Sequence, residues 1–482
     1  MSHALILSII LLYFGVLLLV SYYTSRKADN QTFFAANKSA SWYLVAFGMV
    51  GTSLSGVTFI SVPGTVGAVG FTYFQVVLGY FLGYFAVAFI LLPLYYKMQL
   101  TSIYSYLQER MGMISYKTGA SFFILSRTLG ATLRLFLVIN VLQIYVLEAM
   151  GVPFAVTSIV ILLMILMYTY KGGVKTIVWT DTLQTFFMLL ALIVCVVFIL
   201  NDLNLGFGDA MSLMSEKGYT SIISTDPMDK KFFLKQILGG AFITITMTGL
   251  DQEMMQKNIS VKNLGDSQKN MMSFSAIMVF VNFLFLILGG LLYLYAETHQ
   301  LALKGDDLFP TVAMQYLPPA IGLIFIIGLI SALFPSADGA ITALTSSFCI
   351  DILGMQRDGS KTEEQKMALR KKVHLTFAGI FLLFVFFFKW LDNKSIITIL
   401  LDIAGYTYGP LLGLFVFGIF SKRKVNDILT PVACIIPPII TFIINTTAPM
   451  WAGSYAFGLE LLIINGAMTA ALLLIFSNLK QK

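Results

Sequence analysis

Residues 41–70, SWYLVAFGMVGTSLSGVTFISVPGTVGAVG, are long enough to cross a membrane but poorly suited to one unbroken helix. Gly51, Thr52, Ser53, Ser55, Gly56 and Thr58 crowd the middle, and Pro63–Gly64 follow. In hydrocarbon each unsatisfied backbone amide or carbonyl costs several kcal/mol, so irregular backbone survives there only where it lines a cavity or binds something. A Gly/Pro-interrupted membrane helix is the sequence pattern that points to a transporter's binding site. Small residues packed against a neighbouring helix would give the same composition, and the segment alone leaves both readings open.

The rest of the chain places this segment in a membrane protein. It is 58% hydrophobic and 11% charged, against roughly 25% charged residues in soluble domains. Apolar runs of about 20 residues, the length that spans a bilayer core, recur throughout and predict an all-α polytopic fold of about thirteen transmembrane helices. The polar stretches near 201–235 and 351–372 are too short to fold alone, so one transport domain is expected over 1–482. The first span, 3–22, is followed by Ser25-Arg26-Lys27 and reads as a retained helix. With the N-terminus outside, roughly 22 of the 31 Lys and Arg residues fall in cytoplasmic loops. That predicts a multi-pass protein of the cell inner membrane, with a cytoplasmic C-terminus. The net charge of +7 follows from this bias and does not signal nucleic-acid binding.

Enzyme chemistry finds little support. Cys195, Cys349 and Cys434 sit singly, His3, His299 and His374 are scattered, and no P-loop, GxSxG or H-E-x-x-H occurs. The informative groups are charges inside spans, which are expensive there and functional by default. Arg127 and Arg134 lie seven apart on one face of the fourth span. Arg127 reads as structural, snorkelling or pairing with a carboxylate. Arg134, deeper, suits bidentate binding of a substrate carboxylate, or an ion pair with Asp338 or Asp402. Asp181, early in the sixth span, is either a helix N-terminal carboxylate or a cation ligand. Asp338 lies in FPSADGAITALTSSF, which Pro335 and Gly339 are expected to interrupt. Asp402 precedes AGYTYGPLLGLF, where Gly405, Gly409 and Pro410 suggest a bend or close packing.

Several stretches together resemble the sodium:solute symporter family, which includes sodium–glucose, sodium–proline and bacterial sodium–sialic acid transporters. FFAANKSASWYLVAFGMVGTSLSGVTFISVPG is similar to its second-span signature, and YKGGVKTIVWTDTLQTFFMLL to a loop and following span. GLDQEMMQKNISVKNLGDSQKNM resembles its D/N-Q-x-x-x-Q-R/K cytoplasmic motif. SADGAITALTSSFCIDIL resembles the ion-site span, and GPLLGLFVFGIFSKR a later element. The order and spacing of these stretches cover nearly the whole chain.

This resemblance implies a leucine-transporter-like fold of two inverted five-helix repeats, 42–200 and 234–420, preceded by the extra helix 3–22 and followed by two helices in 427–477. Each repeat would open with a broken helix, near Thr52–Gly56 and near Thr246–Gly249. It implies a sodium site at the carbonyls of Gly51, Leu54 and Ala332 with the Ser336 hydroxyl. Pro335 stands where the family usually has a second Ser or Thr, and offers only its carbonyl. Asp181 aligns with the carboxylate of a second sodium site, with Asp338 and Gly339 at the partner positions. Ser53, Ser55, Thr58 and Arg134 fall at substrate-contact positions of the sialic acid branch, with Tyr73, Gln75 and Thr244 completing the pocket. Met247 falls where a galactose carrier has an aromatic inner gate.

The expected function is Na+-coupled import of a small organic solute by alternating access, with a carboxylate-bearing sugar such as sialic acid favoured. A neutral sugar or polyol is the alternative, and a non-transporting sensor on the same scaffold a further one. Sodium ions, one substrate and the lipid bilayer are the expected partners, with the chain working as a monomer.

Overall fold

A computed structural model describes residues 3–25, 33–34, 40–357, 359–391 and 396–478. The Arg26–Lys27 pair and residues 35–39 of the second-span signature lie outside them. The described chain is helical almost throughout, which is how a polypeptide satisfies its backbone in a bilayer. In order, the apolar helices are α1 (His3–Ser25), α2 (Trp42–Val69), α3 (Tyr73–Lys97), α4 (Met113–Met150), α5 (Phe154–Tyr170) and α6 (Gly173–Asp202). They continue with α7a (Phe233–Gly249), α7b (Gln252–Ile259), α8 (Leu264–Thr298), α9 (Pro319–Ile352), α10 (Glu363–Leu391), α11 (Ile399–Phe420), α12 (Asp427–Trp451) and α13 (Glu460–Ile475). Ten of these are long and apolar enough to cross a membrane, and the α7a–α7b pair would make eleven. α5 and α13 are shorter apolar helices. Length and composition therefore support ten or eleven spans where thirteen were expected.

Burial sorts the helices into a centre and a periphery. In α2, 83% of the most apolar window is buried, against 28% in α1 and in α12. Leu11, Leu12 and Leu19 of α1, and Ile435, Ile439 and Phe442 of α12, are exposed, as side chains facing lipid would be. α2 is enclosed by α6, α8 and α9, while α3 packs along α7a. That last crossing is close because glycines line it: a Cβ on Gly79 would press on the Ile237 carbonyl and Gly240, and one on Gly240 on the Val76 carbonyl.

Two central helices are broken. α2 changes direction at one residue, Ser55, whose φ of 45° and ψ of 170° are non-helical. The second break follows a π-helical turn, Ile245–Gly249, and falls at Leu250–Asp251, so that α7a and α7b meet at 64°. Asp251 caps α7b by accepting from the backbone N–H groups of Glu253 and Met254.

The expected interruption at Pro335 and Gly339 is absent: Pro319–Ser347 is a continuous helix with proline inside it. Its backbone satisfies itself except at Ser331, whose carbonyl loses the N–H that a residue other than proline would supply. In α11, Tyr408 separates the helical stretches Ile396–Thr407 and Gly409–Phe420.

Candidate functional site

The two breaks face one cavity with about 810 Å³ of space not filled by protein, part of it open to solvent. From α2 the cavity receives Thr52, Ser53, Ser55, Val57 and Thr58, the hydroxyl-rich stretch at the break. α7a and α7b supply Ile243, Thr244, Met247, Thr248 and Met254. Tyr73, Tyr80 and Tyr84 come from α3, Arg127 and Arg134 from α4, Met278 and Asn282 from α8, and Leu400 and Leu401 from α11.

Six of the seven residues expected around a substrate thus lie together: Ser53, Ser55, Thr58, Tyr73, Arg134 and Thr244. Gln75 does not. Its side chain donates to the carbonyls of Thr72 (3.1 Å) and Lys231 (3.2 Å) and accepts from the Ser224 backbone N–H (3.2 Å). It pins the 224–231 loop to the start of α3. Tyr73 and Tyr80, seven residues apart, share the cavity face and have hydroxyls 3.4 Å apart. Gln75, two residues from Tyr73, points about 200° away around the helix. Tyr84 was not anticipated; it lines the cavity together with Ser53, Thr244 and Thr248. Asn282 was also missed, although an amide inside the apolar run FVNFLF was a visible signal. Met247 faces the cavity where an aromatic gate was not expected.

The two arginines of α4 differ. Arg127 bonds to Glu253 and lies 3.8 Å from Asp251, and Tyr408 donates to the same Asp251 oxygen at 3.1 Å. Arg134 makes no ion pair among the described residues; it is 7% exposed, and its Nε is buried without a hydrogen-bond partner. It pairs with neither Asp338 nor Asp402, and Asp402 is exposed. A buried guanidinium at a cavity wall is able to take a carboxylate through two parallel hydrogen bonds.

Beside the cavity lie the residues expected to hold cations. Gly51 and Leu54 sit on α2 just before the Ser55 break. The Gly51 backbone N–H donates to Thr185 Oγ1 of α6 at 3.0 Å, and a Cβ on Gly51 would collide with that threonine. The glycine therefore serves close packing as well as irregular backbone. Ala332, Pro335 and Ser336 are buried on α9, which packs against α2, and the Ser336 hydroxyl donates to the Leu333 carbonyl at 2.8 Å. All five offer oxygen, the donor type that a hard monovalent cation takes.

Asp181 and Asp338 are fully buried. Asp338 accepts from Tyr168 at 2.7 Å, and Asp181 accepts from Thr52 at 3.0 Å and from Lys257 at 2.7 Å. One oxygen of each carboxylate has no partner. Gly339 is covered by the Glu253 carboxylate. Glu253 and Lys257 belong to the stretch that resembles the family's cytoplasmic motif; both are buried on α7b, with 1% and 4% of their side chains exposed.

Known proteins resemble this chain in sequence and fold. The profile of the sodium:solute symporter family matches residues 33–427. The sodium/sialic acid symporter SiaT of Proteus mirabilis is 23% identical over 434 residues, covering 85% of this chain and 84% of its own. The sodium/sialic acid symporter NanT of Aliivibrio fischeri is 21% identical, covering 85% and 82%. The fold is that of a Na+-coupled sialic acid symporter solved in a substrate-bound outward-open state: TM-score 0.84 at 20% identity, over 98% of this chain and 97% of that one. The chain belongs to the sodium:solute symporter family.

Proposed function

We propose that this protein imports a carboxylate-bearing sugar, of which a sialic acid is the type, together with Na+. The observation that carries the reading is Arg134, a buried guanidinium with no ion pair among the described residues, at a cavity whose other lining is hydroxyls, tyrosines, apolar side chains, Asn282 and the already paired Arg127. A carboxylate would engage the guanidinium through two parallel hydrogen bonds. Sugar hydroxyls would meet Ser53, Ser55, Thr58, Thr244 and Tyr73. A neutral sugar would leave that charge uncompensated when the cavity closes, so it is the weaker candidate. The two relatives named above are sialic acid symporters, which agrees with this choice.

Na+ would bind between α2 and α9, at the carbonyls of Gly51, Leu54, Ala332 and Pro335 and the Ser336 hydroxyl. Asp181, Asp338 and Gly339 form a second cation position. Because the first site bridges a broken helix and its neighbour, bound Na+ favours the state in which α2 is ordered toward the cavity, and substrate adds to that preference. The repeats would be α2–α6 and α7a–α11, each opening with a broken helix. The chain would act as a monomer in the inner membrane, its N-terminus outside and its C-terminus in the cytoplasm.

The test is a thermal-stability screen of the purified protein against sialic acids, neutral sugars and amino acids, with and without Na+. Sialic acids should stabilise it, and only with Na+. Equal stabilisation by neutral sugars would overturn the substrate class, and no effect of Na+ would overturn the coupling ion.

A further inference from the structure

Lys257 is buried inside the protein, held by oxygens as a bound cation would be. Its ammonium lies 2.7 Å from Asp181 Oδ2, 2.7 Å from Thr52 Oγ1 and 3.7 Å from Glu253 Oε1. Thr52 Oγ1 and Asp181 Oδ2 are themselves 3.0 Å apart, so these oxygens form a closed cage. The three helices that build it are α2, α6 and α7b. Thr52 is three residues before the Ser55 break, and Lys257 lies beyond the 64° bend between α7a and α7b.

We propose that Lys257 is a built-in cation for the Asp181 position, so that uptake is coupled to one Na+ and not two. This rests on the reading of Asp181 as a cation position in a Na+ symporter. The ammonium carries the same single charge as Na+ and already holds an Asp181 oxygen. A Na+ entering the cage would meet it at contact distance and be repelled. The other members of the second position are partly engaged: one Asp338 oxygen takes the Tyr168 hydroxyl, and Glu253, itself bonded to Arg127, covers Gly339. Since Lys257 is anchored on α7b, this cation leaves Asp181 only when α7b moves, and returns with it. It is never transported. The cation position thereby becomes a reversible tie between the broken second and seventh segments, and the translocated positive charge falls to one per cycle. With a monocarboxylate sugar as substrate the net charge moved is zero.

Equilibrium dialysis of the purified full chain against radioactive sodium, without substrate, counts the ions. The wild type should bind a single Na+, and Lys257→Met, which leaves Asp181 charged and uncaged, should bind a second. Lys257→Arg and the double variant Lys257→Met/Asp181→Asn should bind one. Two ions bound by the wild type would overturn the proposal, and that measurement stands even if Lys257→Met does not fold. No Na+ bound by the wild type would instead overturn the sodium-coupled reading itself. As a second readout, sialic acid uptake into proteoliposomes should be insensitive to a valinomycin-induced, inside-negative potential. Clear stimulation by that potential would overturn the single-ion stoichiometry while leaving Na+-coupled uptake intact.

Discussion

Arg127 and Arg134 stand seven residues apart on α4, and only Arg127 has carboxylates against it: Glu253 in direct contact and Asp251 at 3.8 Å. Both line the same cavity. One guanidinium is thus tied into the protein's own ion pairs, and the other has none among the described residues.

The first prediction follows from that division. Arg134→Gln keeps a polar side chain of similar reach but removes the charge and the bidentate geometry. Losing one partner of a buried, hydrogen-bonded charge pair costs about 2–5 kcal/mol of binding. Uptake of a sialic acid should therefore fall by roughly a hundredfold or more, at one factor of ten per 1.4 kcal/mol. Stabilisation by Na+ should persist. The two measurements are uptake in proteoliposomes and the Na+-dependent melting shift, and wild-type uptake in the variant would rule out Arg134 as the carboxylate anchor.

Arg127 should behave differently. Glu253→Ala removes its direct partner and leaves only Asp251 at 3.8 Å, and breaking a buried ion pair costs about 3–5 kcal/mol. The variant should melt well below the wild type in detergent, with or without substrate. Arg127→Met/Glu253→Leu replaces the pair by apolar side chains and should recover most of that loss. If Glu253→Ala melts like the wild type, the pair does not hold α7b to α4.

How far the sequence reveals this site depends on the kind of signal. The break in α2 was visible because Gly, Ser, Thr and Pro cluster where a bilayer demands regular backbone. Nothing in the sequence chose Ser55 among six candidates, because the residue that turns is set by what packs around it: Thr185 against Gly51, and Val138 against Gly56. The depth of Arg134 was legible from its seven-residue spacing to Arg127. Glu253 and Lys257 were not legible. Hydropathy ends a span at the first cluster of charges, whereas here Arg127 and Asp181, from α4 and α6, neutralise those charges inside the protein. Pairing between distant segments leaves no mark on local composition. Pro335 misled in the opposite sense, since proline removes one N–H and α9 continues through it. Gln75 failed on helical phase, which a shift of two residues reverses.

The α3–α7a crossing carries the third prediction. Gly79 and Gly240 bring two backbones together beside the cavity wall, and the atoms an added side chain would meet are a main-chain carbonyl and a facing glycine, not a side chain that can swing away. Gly79→Val should force the helices apart, at a cost of about 1–3 kcal/mol for overpacking. It should weaken substrate binding as well, because Tyr73, Tyr80 and Tyr84 ride on α3. Gly15, with open space around its Cβ position on α1, is the control, and Gly15→Val should be neutral in both melting temperature and uptake. Equal behaviour of the two variants would show that the crossing tolerates separation.

Ser55 provides the fourth. A φ of 45° with ψ of 170° is a backbone state that glycine adopts easily and a residue with a Cβ does not, and such residues cost about 1–3 kcal/mol where function retains them. Ser55→Gly should therefore raise the melting temperature of the ligand-free protein while weakening substrate binding through loss of the hydroxyl. Ser55→Val, β-branched at the same angles, should lower stability and uptake together. The opposing signs in Ser55→Gly separate strain from simple packing: if Gly and Val shift the melting temperature in the same direction, Ser55 is not a strained hinge, and the turn in α2 is held by its neighbours alone.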